Sequence, residues 1–119
     1  MGPVVLDTNV VIYHLNGQLA DPIEGDMCVS VITEIELLGY HGLTDETEFP
    51  IRQFLSLVRC IEIDGDIKKA AIAMRRNSNL RLADAVIAAT ASVTKGILLT
   101  HDLGLLGVPT IEAIAPRLK

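Results

Sequence analysis

The chain has 119 residues, half of them apolar, yet only two Tyr, two Phe and no Trp, and its formal net charge is −5. That length predicts one domain, residues 1–119, whose core must be packed from Val, Ile, Leu and Ala. Such a composition suits helices over a parallel sheet, argues against an aromatic-rich sandwich or barrel, and lacks the positive excess usual in nucleic-acid binders.

Residues 3–7, PVVLD, read as a buried strand: a β-branched run with apolar side chains on both faces. A short helix follows, entered through Thr8 and Asn9 and ending near Asn16 and Gly17. Residues 27–32, MCVSVI, make a second strand. TEIELLGYHG then starts a helix, with Thr33 as N-cap and Gly39 or Gly42 near its end. In TDETEFPIRQFLSLV the acids come first, and Ile51, Phe54, Leu55 and Val58 recur at i, i+3, i+4 and i+7. This spacing predicts an amphipathic helix, in which Pro50 is tolerable only within the first turn.

CIEID is a short third strand. Ile67, Ala70, Ala71 and Met74 repeat the helical spacing in a helix entered from Asp64 or Asp66. ADAVIAATASV is apolar all round and predicts a buried helix. GILLTHD is the fourth strand and VPTIE a candidate fifth. Strands alternating with helices give a three-layer α/β/α fold around a mainly parallel sheet of four to five strands. Sites in such sheets form beyond the carboxyl ends of the strands, where Asp7 and Asp102 fall.

Cys28 and Cys60 both sit in apolar segments and are expected to be buried thiols in a reducing compartment, not a disulfide or a zinc site. No basic region followed by an apolar stretch and cleavage site opens the chain, and no apolar run is long enough to cross a bilayer. The expectation is a cytoplasmic protein with no membrane association.

Four acids stand out: Asp7, Glu36, Asp84 and Asp102. Each has a structural reading. Asp7 would fix a strand-to-helix turn, Glu36 would complete a capping box with Thr33, Asp84 would face its helix dipole, and Asp102 would cap a turn at LGLLG. Their joint placement favours another reading. Asp84 lies within LADAVIAATA and Asp7 between Leu6 and Val10, so both head into apolar surroundings. Carboxylates converging there repel one another, and a hard divalent cation, Mg²⁺ or Mn²⁺, relieves the repulsion with an all-oxygen ligand set.

VVLDTNVVIYHL, SVITEIELLG, LADAVIAATA and LLTHD, in this order, resemble the PIN-domain family, specifically the VapC-type toxins of toxin–antitoxin pairs. The resemblance spans essentially the whole chain and implies a PIN-like fold. It also implies four acidic catalytic and metal-binding residues at Asp7, Glu36, Asp84 and Asp102. Glu36 is matched over Glu34 because ELLG follows it. Thr8, Asn9 and Thr100 match the supporting polar positions. Leu105 stands where family members often carry an aromatic residue.

The activity this resemblance implies is a metal-dependent endoribonuclease in which water attacks the RNA phosphodiester in line, leaving a 5′-phosphate and a 3′-hydroxyl. No histidine is required, so His101, next to Asp102, reads as a solvated loop residue. Two divalent ions would bring the net charge from −5 to −1. Lys68, Lys69, Arg75, Arg76 and Arg81 fall within fourteen positions, and the three arginines lead toward Asp84 as candidate RNA contacts. The resemblance further implies a homodimer neutralised by a VapB-type antitoxin. Leu37, Leu38, Phe54 and Leu55 would line its groove or else belong to the core.

Two rivals remain. A haloacid-dehalogenase-type phosphotransferase also starts from a strand-end Asp but wants a second Asp where this chain has Asn9. A catalytically inactive PIN-fold binding module, acting through a protein or RNA partner, would keep the acids for structure alone.

Overall fold

The computed structural model describes residues 2–119. Strands β1 (Val4–Leu6), β2 (Met27–Ser30), β3 (Arg59–Ile61), β4 (Ile97–Leu99) and β5 (Glu112–Ile114) form one sheet in the order β3-β2-β1-β4-β5. Every pairing in it is parallel. Between the strands run α1 (Thr8–Leu15), α2 (Val31–Leu38), α3 (Asp45–Leu57), α4 (Gly65–Asn77), α5 (Leu82–Thr94) and α6 (Leu103–Leu106).

The pleat sorts the core into two layers, because successive strand side chains point to opposite faces. Val5, Cys28 and Leu98 turn to one face and meet Ile67, Ala71 and Met74 of α4 and the buried residues 85–89 of α5. Leu6 and Val29 turn to the other and meet Val10 and Val11 of α1, Leu37 of α2 and Phe54 of α3. The expected α/β/α sandwich with a parallel sheet is what forms, with five strands. The small side chains of α5 suit a helix buried over residues 85–91.

From central β1 the chain moves outward to β2 and β3, then returns to add β4 and β5 on the other side. The order therefore reverses between β1 and β4, the point at which sheets of this type leave a crevice beyond the strand ends. The Asp7 amide donates to Leu99 O at 2.9 Å, so the pairing of β1 with β4 continues to the brink of that crevice.

Several local expectations are corrected. Helix α2 begins at Val31, capped by Ser30, whose hydroxyl accepts the Ile32 N–H; Thr33 lies inside the helix, so no capping box joins it to Glu36. Apolar Val31 and Ile32 continue the strand pattern, but the buried Ser30 supplies the cap that stops it. Pro50 lies beyond the first turn of α3, where it removes an internal hydrogen bond; Thr44 and Thr47 form the capping box that starts this helix. Cys60 is exposed on the edge strand β3. VPTIE is mostly loop, because β5 starts only at its last residue. Among the described residues no helix is long and apolar enough to cross a membrane.

Candidate metal centre

Asp7 ends β1 as the N-cap of α1 and is 5 % exposed. Three groups hold its carboxylate. Its Oδ1 accepts the Thr8 N–H at 2.8 Å, and its Oδ2 accepts the Thr100 hydroxyl at 2.6 Å and the Asn9 amide at 3.2 Å. Asn9 Oδ1 in turn accepts the His101 backbone N–H at 3.3 Å, so one amide side chain ties α1 to the segment after β4. Burial holds the Asp7 carboxyl above its ordinary range, opposed by the bonds from Thr100 and Thr8. The charges of Asp84 and Asp102 push in the same direction as burial, after it in size.

Asp102 caps α6, its Oδ1 accepting the N–H groups of Gly104 at 2.8 Å and Leu105 at 3.2 Å. Its own N–H donates to the Thr100 hydroxyl at 3.0 Å. The structural reading of Asp102 as a cap is therefore met, while its Oδ2 takes no part in the cap. Asp84 lies in the first turn of α5 and faces the Arg81 guanidinium, Nε to Oδ2 being 3.3 Å. Arg81 Nη2 also stands 4.0 Å from Asp102 Oδ2.

Glu36 is linked less directly. The Thr8 hydroxyl donates to its Oε1 at 2.6 Å and lies 3.0 Å from the buried Thr33 hydroxyl. One proton cannot serve both, and the shorter, charged contact takes it. Glu34 points elsewhere and accepts from Cys60 Sγ at 3.3 Å. Thr33 is the residue that sequence reasoning placed differently: its signal, a Thr four residues from Leu37 on the inward face of α2, suited a cap equally well.

A divalent ion fits this donor set. All the acidic side chains offer oxygen, Asp7 is unfavourably charged where it sits, and a guanidinium already stands between Asp84 and Asp102. Among the described residues three acid, His or thiol ligand atoms come within 4.8 Å of one another only at Glu34, Cys60 and Glu62, so the four acids are spread more widely than that. Mg²⁺ keeps several of its waters and therefore needs few direct ligands from a protein. The Glu34–Cys60–Glu62 group lies on and beside the edge strand β3, away from Asp7, and burial followed by the Glu34 contact pushes the metal-free Cys60 thiol up to about 11.

The other expected contacts are distributed unevenly. Arg75 Nη1 donates to Leu80 O at 2.9 Å and so braces the turn between α4 and α5. Arg75 and Arg76 line a cleft of about 430 Å³ with Ile63, Ile72 and Leu82. Of the three arginines, Arg81 alone pairs with the acids among the described residues. His101 is not a solvated loop residue: its ring stands edge-on to Tyr13 at 5.3 Å, and its Nε2 is buried without a partner. Phe54 belongs to the core; Leu37 belongs to it and also lines, with Thr8, Ile12, Tyr40, Leu43 and Ile51, a cleft of about 410 Å³ at Glu36.

Comparison with known proteins gives this geometry a family. A toxin–antitoxin complex from Klebsiella pneumoniae contains a chain 27 % identical, with a TM-score of 0.80 over 96 % of this chain and 98 % of that one. VapBC2 from Rickettsia felis, bound to a DNA fragment from its promoter, gives 17 % identity and a TM-score of 0.79, covering 94 % and 97 %. VapBC-5 from Mycobacterium tuberculosis gives 23 % and 0.72, covering 96 % and 98 %. The latter two show likeness of fold alone. Comparison with curated protein sequences gives no match. The sequence profile of the PIN domain matches residues 4–109, nearly the whole sheet and both ends of the acidic crevice, and the chain belongs to the PIN-domain family.

Proposed function

We propose that this chain is a divalent-metal-dependent endoribonuclease and the toxin of a VapBC-type toxin–antitoxin pair. The observation that carries the reading is Asp7: a carboxylate 5 % exposed, at the switch point, braced by Thr8, Asn9 and Thr100, its pKa raised first by burial and then by Asp84 and Asp102. Burying a charge that way is costly unless a cation compensates it. Membership of the PIN family and likeness to a chain of a toxin–antitoxin complex support the same reading.

Asp7, Asp84 and Asp102 would hold Mg²⁺ or Mn²⁺, with Glu36 joining from α2. Bound there, the ion would supply Lewis-acid stabilisation of the phosphodiester and a water acidic enough to act as nucleophile near neutral pH. Thr100 and Asn9 keep the Asp7 carboxylate fixed, so its oxygens need no reorganisation when substrate arrives. Thr8 does the same for Glu36. Arg81, 82 % exposed and next to the acids, is placed to meet a phosphate, and Arg76 extends that positive edge. A VapB-type antitoxin would seat an apolar segment in the cleft beside Glu36 and Tyr40, and the active form would be a homodimer in the cytoplasm.

The test is cleavage of structured and unstructured RNAs by purified protein in Mg²⁺ or Mn²⁺, with EDTA and Asp7→Asn as controls. Cleavage lost in both controls is the expected result. Well-folded protein that binds RNA or an antitoxin but cuts nothing would favour the inactive binding module, for which the wide spacing of the acids speaks.

A further inference from the structure

Arg81 stands immediately before α5 in an extended conformation and makes no side-chain cap to that helix. Its guanidinium goes instead to two acids, 3.3 Å from Asp84 and 4.0 Å from Asp102. The acids are the anchored partners: their side chains are 15 % and 30 % exposed, whereas the Arg81 side chain is 82 % exposed. An ion pair this open to solvent contributes little to stability, so little opposes its breaking.

We propose that Arg81 is a resident counter-ion of the acidic pocket, competing with the divalent ion for Asp84 and Asp102 and turning to the substrate phosphate when the ion displaces it. The inference rests on the reading of Asp7, Asp84 and Asp102 as metal ligands. Without a cation, acids grouped around a buried carboxylate repel one another. A planar fork of five donors reaches two of them at once in a fixed geometry and is more weakly hydrated than a lysine ammonium. When a divalent ion enters, like charges meet, and the arginine leaves at small cost. Its freed donors then suit a bidentate pair with a phosphodiester oxygen pair. Metal and RNA binding are thereby coupled through one side chain, and the coupling must be reciprocal.

Isothermal titration of the full chain with Mn²⁺ tests this, using wild type, Arg81→Gln, Arg81→Lys and Asp7→Asn. Arg81→Gln should bind Mn²⁺ on the order of tenfold more tightly at low salt, and the gain should shrink as salt rises. Arg81→Lys should fall between wild type and Arg81→Gln. With Ca²⁺ present, a labelled single-stranded RNA should bind Arg81→Gln more weakly, with the slope of log affinity against log salt reduced by about one. Tighter metal with weaker RNA is a pairing that a merely structural arginine does not produce. Mn²⁺ affinity equal to or below wild type in Arg81→Gln, or an unchanged RNA salt slope, overturns the proposal while leaving the metal site standing. Wild type that takes up no Mn²⁺, or Asp7→Asn that takes it up equally, removes the metal-site reading itself and this inference with it.

Discussion

Thr100 donates its hydroxyl proton to Asp7 Oδ2 at 2.6 Å across 93 residues of chain, and the Thr100 hydroxyl oxygen in turn accepts the Asp102 N–H at 3.0 Å. One fully buried side chain thus fixes the first acid of the crevice against the last. Thr100→Val keeps the shape but takes the shorter of its two hydrogen bonds from Asp7 Oδ2 and the hydroxyl acceptor from the Asp102 N–H. The expected loss is about 1–3 kcal/mol of stability, read from the urea midpoint, together with weaker Mn²⁺ binding. Thr100→Ser restores the hydroxyl and should recover most of both. A valine variant as stable and as metal-binding as wild type would mean that the relay does not hold the site.

Cys60 offers a separate check, because the sequence suggested a buried thiol and the strand it occupies lies at the sheet edge. Cys28 is fully buried, so only Cys60 should react with an aromatic disulfide in the native protein. Partial burial of its sulfur, then the Glu34 contact and the charges of Glu34 and Glu62, push its thiol up to about 11. Since the thiolate is the nucleophile, the rate should be low near pH 7 and climb about tenfold per pH unit over the alkaline range. Glu34→Gln removes the nearest negative charge and should speed the neutral-pH reaction several-fold. A rate that levels off below about pH 9 would contradict the assigned environment.

The layered fold was legible because Val5, Leu6, Cys28, Val29 and Leu98 are apolar on both faces, which only a covered parallel sheet accommodates. Asp7 and Asp102 were legible as strand-end acids for the same reason. What stayed hidden was long-range. The Thr8–Glu36 bond spans 28 residues and the Asn9 amide reaches His101 across 92, and no local pattern encodes either. Thr33 was misplaced because a hydroxyl before a helical run is a cap signal, and Ser30, three residues earlier, carries the same signal. Arg75, Arg76 and Arg81 look alike as a basic stretch; only the turn after α4 sends one to a backbone carbonyl and another to the acids.

Asp7 also sets a pH dependence that can be measured without substrate. Burial first, and Asp84 and Asp102 after it, hold its folded-state pKa above the ordinary 3.8. The unfolded chain therefore gives up this proton at lower pH than the folded one. Between those two values the unfolded state binds fewer protons, so stability falls as pH rises through the window, and the loss is complete above the folded value. Ionised Asp7 is thus a net cost to the metal-free fold at neutral pH. Asp7→Asn, which cannot ionise, should melt roughly 2–6 °C higher than wild type in EDTA at neutral pH. The difference should narrow as pH falls toward the ordinary aspartate range. Mn²⁺ should reverse the order, raising the melting temperature of wild type by mass action and leaving Asp7→Asn where it was. Melting curves across pH, with EDTA and with Mn²⁺, separate the two contributions. An Asp7→Asn protein less stable than wild type in EDTA at neutral pH would show that the bonds from Thr8, Asn9 and Thr100 outweigh burial.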